Sequence, residues 1–201
     1  MYIFPKQLPQ KGYNLKILIM DWDNYLYLSE KTLSTEFHCG FKVEKLLHAT
    51  IGILTEMEEI LDNYSEIKVL DPVNILEEIG DVTWYLAILG REYDLILPKS
   101  NIKSENPEKT IMSLIKKTLK ILDFLKKKLY YNKEIDDDLF IEITNSILLD
   151  TIEYMNYYEI DIHKSFDINI EKLKERYGDK FTSDKAINRN LEKERQILEG
   201  K

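Results

Sequence analysis

The chain is 201 residues long, with 28 Lys plus Arg against 36 Asp plus Glu, a formal net charge of −8 and a pI near 5.1. That balance argues against non-specific attraction to DNA or to an anionic membrane surface, which both need net positive charge. It leaves room for a nucleotide whose charge is bridged by divalent cations. The single cysteine, Cys39, rules out an internal disulfide and fits a reducing cytosol; it reads as a small loop or core residue rather than a catalytic thiol.

From Met1 to Gly12 there is no apolar stretch of signal-peptide length, and nowhere does the chain approach the roughly 20 apolar residues of a membrane span. A cytoplasmic protein is expected. Seven glycines and five prolines in the whole chain predict long helices joined by short links. Apolar residues recur at three- and four-residue steps rather than alternating, so the expected fold class is all-α. The first predicted helix covers Trp22 to Ser34 and the second Phe41 to Asn63. A third opens at Asp71-Pro72, where Asp caps and Pro suits the first turn, and runs to Tyr93. A fourth, opened by Asn106, runs from Pro107 to Tyr130. The fifth spans Asp136 to Tyr158, the sixth Ile162 to Tyr177 with Gly178 closing it, and the last Ser183 to Leu198.

In the second helix Leu46, Thr50, Ile53, Met57 and Ile60 make one stripe that needs a partner. The third is apolar around most of its circumference from Ile79 to Leu89, which marks a central helix. Glu78 and Asp81 interrupt it. They share one face, with Tyr85 a further turn along, and carboxylates in apolar surroundings are costly unless paired or metal-bound. The preceding helix carries Glu56 and Glu59 at the same spacing. If the two helices pack antiparallel, the four carboxylates converge as oxygen ligands for a hard cation, Mg²⁺ first and Mn²⁺ as the alternative.

Three stretches carry a family resemblance: Leu47-His48-Ala49, Gly52 to Glu59, and Glu77 to Ala87. Together they resemble the MazG-like branch of the all-α nucleoside triphosphate pyrophosphohydrolases, whose E-x-x-E then E-x-x-D signature is matched by Glu56, Glu59, Glu78 and Asp81. The tail agrees, at Asn169 to Leu173, Arg176 to Phe181 and Ala186 to Arg189. Glu58 departs from the pattern, standing where relatives usually have glycine, and adds charge near the site. The resemblance implies Mg²⁺-dependent hydrolysis of a nucleoside triphosphate to monophosphate and pyrophosphate, with the four acids holding the metal and one of them, such as Glu59, serving as general base. It also implies that Asn169 and Lys172 reach phosphate or nucleotide groups. Base contacts are expected from His48 and Tyr85, with Trp84 and Phe37 as further candidates, while Arg176 and Tyr177 anchor the helix end. The same resemblance suggests a homo-oligomer, a dimer first.

Between these stretches, residues 98–158 echo the first half. Ile121-Leu122-Asp123 parallels Ile60-Leu61-Asp62, and Ile141 to Asn145 parallels Leu76 to Asp81 in pattern. Aligned so, Lys117 and Lys120 stand opposite Glu56 and Glu59, and Asn145 opposite Asp81. The expectation is a single all-α domain over residues 1–201, with an internal repeat: a metal-binding half at 41–97, a degenerate half at 107–160 and C-terminal helices at 161–201. Lys116, Lys117 and Lys120 would face the phosphates, leaving Lys126 to Lys128 solvated. The alternatives are a dUTPase or dCTPase of the same superfamily and a non-catalytic helical nucleotide-binding or interaction protein. Neither a Ser/His/Asp site nor a glycine-rich phosphate loop is present.

Overall fold

A computed structural model describes residues 40–64, 71–178 and 182–200. The helix expected over Trp22 to Ser34, together with Phe37 and Cys39, lies outside the described residues. Among those described, every regular element is helical: α1 (Phe41–Asp62), α2 (Pro72–Glu92), α3 (Pro107–Tyr131), α4 (Asp137–Tyr157), α5 (Ile162–Tyr177), α6 (Ser183–Ile187) and α7 (Leu191–Leu198). None of them is long and apolar enough to cross a membrane.

Side-chain caps explain where most of these helices begin. Asp71 accepts from the backbone N–H groups of Val73 and Asn74, Asn106 from Lys109, Asp136 from Leu139 and Asp161 from Lys164. Each satisfies a donor that the first helical turn leaves without a partner. Pro72 and Pro107 occupy first-turn positions where their missing N–H costs nothing. Asn132 ends α3 at φ 49°, a left-handed conformation that asparagine tolerates better than most residues.

The expected last helix is two. Asn188 at φ −98°, ψ 67° leaves helical geometry, and Asn190 then caps α7 by accepting from the Lys193 N–H. Two asparagines two residues apart offer the backbone local partners that compete with helix continuation.

The α1/α2 hairpin is antiparallel. Near the start of α1, Lys45 pairs with Glu92 at the end of α2, while Asn63 beyond α1 meets Asn74 at the start of α2 at 2.6 Å. A second antiparallel hairpin joins α3 and α4, tied by Ser113 Oγ to Asp150 at 2.9 Å and by the Ser104 N–H to the Glu153 carbonyl at 3.0 Å. Both hairpins contribute to one core, in which Leu46, Ile53 and Met57 of α1, Ile79 and Leu86 of α2, Ile121 of α3 and Ile147 of α4 are wholly or almost wholly buried. Buried threonines Thr50, Thr118, Thr144 and Thr151 donate to carbonyls four residues back, so none leaves a hydroxyl orphaned in that core. Helix α5 packs on α2, and α7 packs on both α5 and α2, on the side where the acids emerge.

Candidate metal centre

Glu56 and Glu59 lie one turn apart on α1, and Glu78 faces them from α2. One oxygen from each carboxyl lies within 4.8 Å of the others. Glu59 is exposed, Glu56 half-buried, and Glu78 only 5% exposed. Oxygens on one Mg²⁺ stand about 3.0 Å apart when adjacent and about 4.2 Å apart when opposite, so this set must draw together to share one ion. Carboxylates alone, with no thiolate or imidazole among them, select a hard cation.

The electrostatics point the same way. Burial, then the charges of Glu77 and Glu59, and a hydrogen bond shared with Glu56 push the Glu78 carboxyl well above the ordinary carboxylate range. Burial and the charge of Asp81 raise Glu56 as well, partly offset by that shared hydrogen bond and by Lys172. Glu59 is raised by burial and then by Glu58, whose exposed carboxylate does add charge beside the site. Left to themselves these acids hold their protons to higher pH than free carboxyls do; a divalent cation would let them ionise together.

Two asparagines fix the buried acid. Asn74, one turn before Glu78, donates to Glu78 Oε1 at 2.5 Å, and Asn63 donates to Asn74 Oδ1 at 2.6 Å and to the Glu59 carbonyl at 3.1 Å. The relay binds the end of α1 to the start of α2 at the point where the acids meet. Nothing in the acid motif announced it, although Asn74 stands at the i−4 position that faces Glu78 on a helix.

Asp81 is placed differently from the other three. Its Oδ1 accepts from Asn169 Nδ2 at 2.6 Å and its Oδ2 from Lys172 Nζ at 2.6 Å. Asn169 and Lys172, expected to reach phosphate, are both buried and both turned onto this carboxylate. Lys172 also reaches Glu77 at 3.2 Å, and Arg189 reaches the same Glu77 at 3.4 Å. Beyond them Glu194, only 2% exposed, accepts a two-pronged bond from Arg176 at 3.0 and 2.6 Å and two more from Arg189 at 3.2 and 2.6 Å. Burial raises Glu194, but the two guanidiniums outweigh it and hold the carboxyl below its ordinary range. Sequence reasoning passed over Glu77 and Glu194; the first opens the quoted motif, and the second carries no local signal.

Tyr85 closes the other side. Its ring lies against Gly52, where an added Cβ would meet the ring at 2.2 Å, so glycine is what lets it reach across to α1. Burial and then the charges of Glu56 and Asp81 raise its hydroxyl. His48 and Trp84 meet it edge-on, with ring centroids 5.7 and 5.0 Å away. The aromatic residues therefore sit one to two turns from the acids on the same hairpin. The expected lysines are elsewhere: Lys117 pairs with Asp150 on α4, and Lys120 is exposed on α3, with no hydrogen bond or ion pair to the acids among the described residues. A cavity of about 470 Å³ lined by Thr83, Leu86, Gly90 and Leu148 opens on the opposite face of α2, away from this chemistry.

Comparison with protein-family models, with curated proteins and with solved structures finds no match for this chain. The reading of the centre rests on its own residues.

Proposed function

We propose that the protein hydrolyses a nucleoside or deoxynucleoside triphosphate to the monophosphate and pyrophosphate, using Mg²⁺, or Mn²⁺ in its place, held by Glu56, Glu59 and Glu78. One observation carries the reading: three carboxylate oxygens from two facing helices lie within 4.8 Å of one another. The order of acids that resembles the MazG-like enzymes supports it.

A cation bound there would screen the phosphate chain and lower the pKa of an attacking water. The chain's own groups supply the rest. Glu78, fixed by Asn74, sets the floor of the centre. Glu59, the exposed carboxylate of the three, is the one that solvent water reaches and takes its proton. The water oxygen forms a new bond to the α-phosphorus while the bond from that phosphorus to the bridging oxygen breaks, and pyrophosphate leaves with that oxygen. Tyr85, His48 and Trp84 offer aromatic faces and edges one to two turns away, where a nucleoside would extend. On this reading the substrate is a free nucleotide rather than a nucleic acid, and the protein works in the cytoplasm as a homo-oligomer.

A panel of ribonucleoside and deoxynucleoside triphosphates, assayed for pyrophosphate with and without Mg²⁺, tests this. Equal amounts of monophosphate and pyrophosphate, formed only with the cation, are expected. Release of orthophosphate, or no turnover of any triphosphate, would contradict the proposal. Turnover restricted to dUTP or dCTP would assign the narrower activity of the same superfamily.

A further inference from the structure

Resting on that metal reading, we infer that the centre takes a single divalent cation, and that the Lys172 ammonium is a built-in positive charge where a second cation would sit. Centres with two cations place them about 3.5–4 Å apart across shared carboxylates. In this hairpin the ligand left for a second position is Asp81, and Lys172 Nζ lies against it at 2.6 Å and against Glu77 at 3.2 Å. The other oxygen of Asp81 is held by Asn169 at 2.6 Å. Neither oxygen of the fourth acid is left without a donor.

The ammonium has no easy way out. Lys172 is 0% exposed, on the face of α5 that packs against α2. Withdrawing Asp81 to a metal would leave a buried cation with a weaker partner, a change that buried ion pairs resist strongly. A lysine in this place gives one unit of positive charge, needs no metal from solution and keeps Asp81 fixed whether or not the centre is loaded. Glu56, Glu59 and Glu78 then remain as the ligand set, the three whose oxygens approach one another.

Calorimetric titration of the full chain with Mg²⁺, paralleled by Mn²⁺ binding followed by electron paramagnetic resonance, counts the ions directly. One ion per chain is expected for the wild type and for Asp81→Asn. Lys172→Met is expected to bind two, the second being lost again in the Lys172→Met/Asp81→Asn double variant. Two ions in the wild type, with one lost in Asp81→Asn, would overturn the inference and leave the metal reading standing. A single ion in folded Lys172→Met would overturn it equally. Should Lys172→Met fail to fold, the comparison of wild type with Asp81→Asn decides alone. No binding by the wild type at all would remove the metal reading itself, and this inference with it.

Discussion

Glu78 lies deep in an apolar helix, with Asn74 on one oxygen and a hydrogen bond shared with Glu56 on its other side. In the folded chain both carboxyls keep protons above their ordinary value of 4.5, whereas unfolded they release them there. The folded state therefore binds more protons, and cation-free stability is fully present below that value and lost as pH rises through the raised ones. Melting curves in a chelator between about pH 5 and about pH 9 should show the melting temperature falling. Saturating Mg²⁺ should flatten the fall, and Glu78→Gln, which keeps an acceptor for Asn74, should reduce it without Mg²⁺; a melting temperature that climbs with pH in the chelator would refute this. Gly52→Ala must push the Tyr85 ring aside, at a cost of about 1–3 kcal/mol, and should raise KM for nucleotide more than it lowers kcat; unchanged stability and KM would mean that the ring does not rely on the glycine. At this scale the convergence of Glu56, Glu59 and Glu78 was legible, because helical spacing places acids on faces. Asp81's buried partners were not, since the register of α5 against α2 is a tertiary fact that spacing within one helix does not carry.

Helix starts were readable because Asp71, Asn106, Asp136 and Asp161 stand immediately before their helices and do cap them. The break between α6 and α7 was not, because its asparagines lie in a segment whose apolar spacing continues across the interruption. That break has a use: it lets Arg189 turn toward both Glu77 and Glu194. Arg176, Arg189 and buried Glu194 together fasten α7 against α5. Removing the shared carboxylate with Glu194→Ala leaves two guanidiniums without it and should cost on the order of 3 kcal/mol. Hydrogen exchange should then show α5 and α7 opening more readily, with the hairpin helices less affected; protection unchanged in α7 would show that the ion network does not hold it.

Over the whole molecule, the two hairpins do not form separate cores. Ile121 on α3 belongs to the same cluster as Ile53 on α1 and Ile79 on α2. Ile121→Ala, far in sequence from the α1/α2 acids, should cost about 2–5 kcal/mol and lower the stability of both hairpins in one transition. Separate transitions for the two halves would contradict a shared core. The sequence pattern suggested this pairing of hairpins, because a stripe on α1 and a nearly all-apolar α2 leave surface that only further helices can cover. What it misplaced is where the second hairpin's lysines point: expected at the phosphates, Lys117 instead turns to Asp150. Catalysis as proposed requires that the α1/α2 acids hold a cation. Mg²⁺ affinity and pyrophosphate release, measured together in wild type, Glu56→Gln and Glu78→Gln, test that most directly. Both quantities should fall together in each variant, turnover by about a hundredfold or more. Wild-type turnover persisting in variants that no longer bind Mg²⁺ would contradict it.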